Sequence, residues 1–78
     1  MKIHVAHISH EYGSIMFAAR DDGEMTHKIA AYARQHWGRS GPDEPIPESD
    51  DAAISRYFDW CAEVCAGEYL TREEIDLA

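Results

Sequence analysis

Three histidines, His4, His7 and His10, recur at intervals of three near the start of the chain. Imidazole is a common metal ligand and titrates near neutral pH, so the spacing invites a metal site. An interval of three gathers side chains on a helix but alternates them across a strand. The surrounding IHVAHIS reads as a strand, which sets His7 opposite His4 and His10 and leaves no converging ligand set. Cys61 and Cys65 stand at i, i+4 on an apolar helical stripe. With no CxxC and no second cysteine pair they do not make a zinc site, and free thiols in a reducing compartment are expected. A Cys–His nucleophile using His27 or His36 has no local support. Gly-rich phosphate loops, GxSxG and HExxH are absent from the sequence, so a non-enzymatic protein without metal or cofactor is expected.

Charge is the stronger signal. The 78 residues include 7 Lys+Arg against 15 Asp+Glu, a formal net of −8. That excess argues against direct nucleic-acid binding, which needs a basic footprint, and against attachment to an anionic membrane. No apolar run approaches the roughly 18 residues of a spanning helix. The opening MKIHVAHISH lacks an apolar signal-peptide core, so a cytoplasmic location is expected. The acidity is uneven. Residues 1–42 hold five basic and four acidic side chains, whereas residues 43–78 hold two basic and eleven acidic ones. An acidic face suited to a basic protein surface follows, with Asp43, Glu44, Glu48, Asp50, Asp51, Glu73 and Glu74 as its leading members.

The elements that would position these groups fit one domain over residues 1–78. A strand over 3–9, a turn at Glu11-Tyr12-Gly13-Ser14 and a strand over 15–20 form a hairpin. Val5 and Ile8 fall on opposite faces of the first strand, so a bulge near His7 or cover on both faces is expected. Asp21 or Asp22 caps a helix over Glu24–Trp37, with Glu24 completing a capping box and Gly38 ending it. Pro42, Pro45 and Pro47 impose an extended connection over 38–48. Ser49 or Asp50 caps a second helix with Ile54, Tyr57, Phe58, Cys61, Val64 and Cys65 on one stripe, closed by Gly67. Residues 69–77 read as a third strand with Tyr69, Thr71, Glu73, Ile75 and Leu77 on one face. Thr71-x-x-Glu74 offers a short helix as the alternative.

The order is ββααβ, an α+β fold in which a three-stranded antiparallel sheet packs two helices on one face. The expected core is Ile3, Val5, Ile15, Phe17, Ile29, Tyr32, Ala33, Trp37, Ile54, Tyr57, Phe58, Cys61 and Val64. Trp60 falls at the boundary of the second stripe, where a tryptophan can also anchor an interface.

Three segments, HISHEYGSIMFAAR with KIAAYARQHWG, AISRYFDW, and GEYLTREEIDL, together with the small size and acidity, resemble small acidic proteins of phages and mobile elements, including anti-CRISPR proteins. These families share no common motif, so no functional residue carries over. What the resemblance implies is a mode of action: non-enzymatic binding to a type I (Cascade-type) CRISPR effector in the bacterial host cytoplasm, blocking target DNA binding as a DNA mimic does. Duplex DNA presents one charge per roughly 1.7 Å of axis, and spaced carboxylates can occupy a groove built for phosphates. The other reading is a small interaction module of phage or plasmid origin that pairs through exposed sheet edges as a homodimer.

Overall fold

The computed structural model describes residues 2–10, 13–63 and 67–76. In chain order the elements are β1 (Lys2–His10), β2 (Gly13–Ala19), α1 (Asp22–Ser40), α2 (Asp50–Glu63) and β3 (Tyr69–Asp76). The strands form one antiparallel sheet in the order β2-β1-β3, with β1 in the centre. This is the expected α+β, ββααβ arrangement, and the last segment is strand, not helix.

The strand register decides which face is core. Pairing with β2 runs one for one from His4↔Ala19 to His10↔Gly13, without a bulge at His7. Alternation then places Ala6 and Ile8 beside Phe17 and Ile15 on the face under the helices, and both are fully buried. Ile3 and Val5, expected in the core, lie on the opposite face and are half-buried. The reason is steric. Small residues, Ala6 and Ala19 on the sheet with Ala30 and Ala33 on α1, are all buried, and they let the helix approach closely enough for Met25, Ile29 and Ile54 to fill the gap. A second cluster joins Ile8 to Tyr32, Trp37, Tyr57 and Cys61, and Phe17, Phe58 and Leu70 pack against both clusters. Val64, Cys65 and Leu77 lie outside the described residues.

Asp21 caps α1 as expected. Its Oδ1 accepts from the Glu24 N–H at 2.8 Å, while the Glu24 carboxylate pairs with Lys28 one turn on at 3.4 Å. The helix runs three residues beyond the expected end at Trp37 and passes through Gly38. Its cap is Gly41, whose N–H donates to the Trp37 carbonyl. The Trp37 indole explains the extension. Its Nε1 donates to the Glu44 carbonyl at 3.0 Å, which folds the proline-rich connection back over the end of α1 and buries Pro42. The connection then returns along α1, and Ser49 caps α2 by accepting from the Ala52 N–H at 3.3 Å.

Gly41 has little room to change. A Cβ there would stand 2.6 Å from the Trp37 carbonyl oxygen and 2.9 Å from its Cα, and backbone cannot yield as a side chain can. Gly41→Ala is expected to destabilise the fold by about 1–3 kcal/mol, the range for forced overpacking, read as a lower urea midpoint. Gly38→Ala, with open space at its Cβ, is expected to be neutral or stabilising, because alanine favours a helix interior.

Candidate functional site

The carboxylates expected to form an acidic face divide into two groups. Asp43, Glu44 and Glu48 stand on the connection between the helices, and Asp50 and Asp51 follow in the first turn of α2. Glu73 and Glu74 stand on β3, where strand alternation sends them to opposite faces of the sheet. Glu74 is opposite His4 on the helix side, and Glu73 is opposite Val5 on the uncovered side. The seven therefore do not share one face. The connection and the start of α2 bring five of them together, and β3 splits the other two.

Intramolecular ion pairs separate them further. The Arg34 guanidinium donates to Asp50 at 2.6 Å and to the Glu48 carbonyl at 3.0 Å, tying α1 to the start of α2. His27 Nδ1 lies 3.4 Å from the other Asp50 oxygen. Arg56 pairs with Glu44 and more distantly with Glu63, at 3.9 Å. Lys2 pairs with Glu74 at 3.1 Å, and Arg72 with Asp22 at 2.8 Å. Asp50, Glu44 and Glu74 thus have cationic partners within the fold. Among the described residues, Asp43, Asp51 and Glu73 and the Glu48 carboxylate make no ion pair, and all four side chains are exposed.

Asp43 and Glu44 also rim an open depression of about 560 Å³ beside the end of α1, lined by Trp37, Gly38, Gly41, Pro42 and Pro45. Its lining is mixed, and Asp43 and Glu44 make its edge anionic. A long cationic side chain suits such a place, because its methylenes can lie against the exposed Pro45 while its charged end meets a carboxylate. Trp60 is half-buried, with the Arg56 guanidinium 5.8 Å from its ring centroid.

The histidines fall as strand geometry requires, with His4 and His10 on the helix side of β1 and His7 on the other. Cys61 is fully buried and reduced. Burial, followed by the neighbouring Glu68 carboxylate, pushes its thiol up to about 11. It remains protonated at neutral pH, when a nucleophile needs the thiolate. The His36 ring lies against Tyr32, with ring centroids 4.3 Å apart and planes tilted by 31°.

Glu68 was not visible in the sequence as a key residue. Its carboxylate accepts from the Tyr32 hydroxyl at 2.6 Å and the Tyr57 hydroxyl at 2.9 Å, with Cys61 Sγ at 3.9 Å. One half-buried carboxylate just before β3 therefore ties both helices to the sheet. Two tyrosines on predicted core stripes are the signal that could have prompted a search, since a buried hydroxyl needs a partner. Their sequence positions do not say which carboxylate answers.

Asp50 and Cys61 each make the stability of the fold depend on pH. The hydrogen bond from Arg34, helped by His27, holds the Asp50 carboxyl below the usual range. Its stabilising contribution is therefore full above about pH 4 and is lost as pH falls through the folded value. Cys61 behaves in the opposite sense. Its contribution is full below about pH 8.5 and is lost as pH rises toward 11. Urea denaturation across pH is expected to show a plateau between these limits. Asp50→Asn should lower the plateau and flatten the acid limb.

Comparison with protein-family models, with curated proteins and with solved structures found no match. The site is therefore read from its own chemistry.

Proposed function

We propose that this protein is a non-enzymatic inhibitor of the anti-CRISPR kind, which binds a basic surface of a type I (Cascade-type) CRISPR effector and blocks access of target DNA. The observation that supports this reading is the state of the carboxylates. Five of the chain's basic residues, Lys2, Lys28, Arg34, Arg56 and Arg72, pair with its own acidic ones. Asp43, Glu48 and Asp51 are left exposed and without an ion pair among the described residues, along one connection and the helix start that follows it. Two of these flank the proline-rich turn, and Asp43 also borders the depression at Trp37. The binding surface is therefore narrower than the sequence suggested. It is the 43–51 segment, with Asp50 and Glu44 holding it in place from within, and Glu73 and Glu74 lie apart from it.

A basic partner meets this segment with complementary potential, which speeds encounter more than it deepens affinity. The action is stoichiometric and takes place in the bacterial host cytoplasm. The test is a pull-down with purified Cascade-type effector, paired with a target-DNA binding competition. Co-purification with loss of DNA binding at equimolar protein is the expected result. Failure to bind effectors of the tested subtypes, with the DNA complex undisturbed, counts against the assignment.

A further inference from the structure

Gly38 stands inside α1 near its end, and it is exposed. Its backbone is helical and lacks the positive φ that calls for glycine, which is found at Gly13 and Gly67. The place a Cβ would take is open space. Alanine is the better helix former at such a position, and no contact among the described residues requires the side chain to be absent. What its absence leaves open is the depression of about 560 Å³ between the last turn of α1 and the connection to α2. The walls are held from within. Gly41 donates its N–H to the Trp37 carbonyl, Pro42 is buried, and the Trp37 indole holds the Glu44 carbonyl at 3.0 Å. Asp43 is thereby fixed at the rim between two anchored neighbours. Arg56 takes the Glu44 carboxylate, whereas the Asp43 carboxylate is exposed and makes no ion pair among the described residues.

We propose that this depression seats one long basic side chain, arginine or lysine, of the partner surface, and that Gly38 is the residue that keeps the seat open. In this placement the methylenes pass over Gly38 and lie against the exposed Pro45, and the charged end meets the Asp43 carboxylate. Charge selects this occupant. A carboxylate of a partner, or a second copy of net charge −8, is repelled at the rim. An apolar side chain would cover Asp43 without pairing it, and burying an unpaired charge is costly. A basic side chain alone gains at both ends. The inference rests on the inhibitor reading for the identity of the partner, but not for the location of the seat. Size grades the effect of any residue at position 38: a methyl narrows the depression, and a branched side chain fills it.

Two measurements on the full chain test it. In the first, hexa-arginine peptide is the probe, and its titration is followed by NMR at the Trp37 indole N–H and the Asp43 amide. Both signals are expected to shift in wild type and to stay in place in Gly38→Leu. Asp51→Asn, which removes a carboxylate outside the depression, is expected to shift as wild type does. In the second, dissociation from an immobilised Cascade-type effector is expected to be about tenfold faster for Gly38→Leu, the scale of one lost charged hydrogen bond, and less so for Gly38→Ala. Neither variant is expected to lower the urea midpoint, because position 38 is helical, exposed and open. Loss of binding without loss of stability therefore marks the seat. Wild-type signals that do not move, that move equally in Gly38→Leu, or that move only at residues 48–51 overturn the proposal. Unchanged dissociation of Gly38→Leu from an effector that wild type binds also overturns it. Peptide shifts that need Gly38, with no binding of wild type to the effector, uphold the seat and overturn the inhibitor reading. Should Gly38→Leu unfold, Gly38→Ala decides.

Discussion

Glu68→Ala is expected to remove about 3 kcal/mol of folding stability, roughly half of what a domain of this size has. The Glu68 carboxylate accepts both tyrosine hydroxyls, and Tyr57 is fully buried with Tyr32 nearly so. A hydrogen bond to a charged acceptor contributes about 1.5–3 kcal/mol, and a buried hydroxyl left without its partner bears a desolvation cost as well. The loss should appear as a fall in melting temperature of roughly 15 °C. It should also be conditional. In a Tyr32→Phe/Tyr57→Phe background the hydroxyls are gone, and Glu68→Ala should then cost far less. That double-mutant comparison separates the bonds from any general effect at the site. An equal loss in both backgrounds would show that Glu68 acts by another route.

The size of this effect follows from where Glu68 stands. It is separated from Tyr32 by 36 positions in sequence and from Tyr57 by 11, so its bonds form only once the two helices and the start of β3 have come together. The same carboxylate, after burial, raises the Tyr32 hydroxyl above its ordinary value, which keeps it a donor throughout the pH range in which the fold persists.

Much of the architecture was legible because it rests on local chemistry. Asp21 and Ser49 are good acceptors for exposed helical N–H groups, and each caps the helix it precedes. Gly13 and Gly67 occupy positive φ, +143° and +76°, where the chain turns, as a residue without Cβ can. The two helical stripes are three- and four-spaced, and their buried members agree with that spacing. What the sequence hid depends on partners remote in sequence. Val5 and Ile8 are equally good core residues alone, and the choice between them was made by register with β2 and by the space that Ala6 leaves for α1. Gly38 looks like a helix end, and the reach of Trp37 to the Glu44 carbonyl carries the helix past it.

The candidate site shows the same division. The contrast between a near-neutral first half and an acidic second half is real in sequence, but folding partly cancels it. Lys2, Arg34 and Arg72 each pair across the two halves. Carboxylates that counted alike in the sequence therefore have different roles. Asp50 is a structural tie, Glu74 is neutralised at the sheet, and Asp43, Glu48 and Asp51 face outward.

That division fixes the most direct test of the account. Affinity for a purified Cascade-type effector is to be measured by titration for wild type and for the triple variant Asp43→Lys/Glu48→Lys/Asp51→Lys, with folding checked by circular dichroism. None of the three carboxylates makes an ion pair among the described residues, so the variant is expected to fold normally. Against a basic surface each reversal exchanges attraction for repulsion, and the three together should weaken binding at least tenfold, about 1.4 kcal/mol. The wild-type affinity should also fall with added salt. A folded variant that binds as tightly as wild type would contradict the account and remove the 43–51 segment as the contact surface.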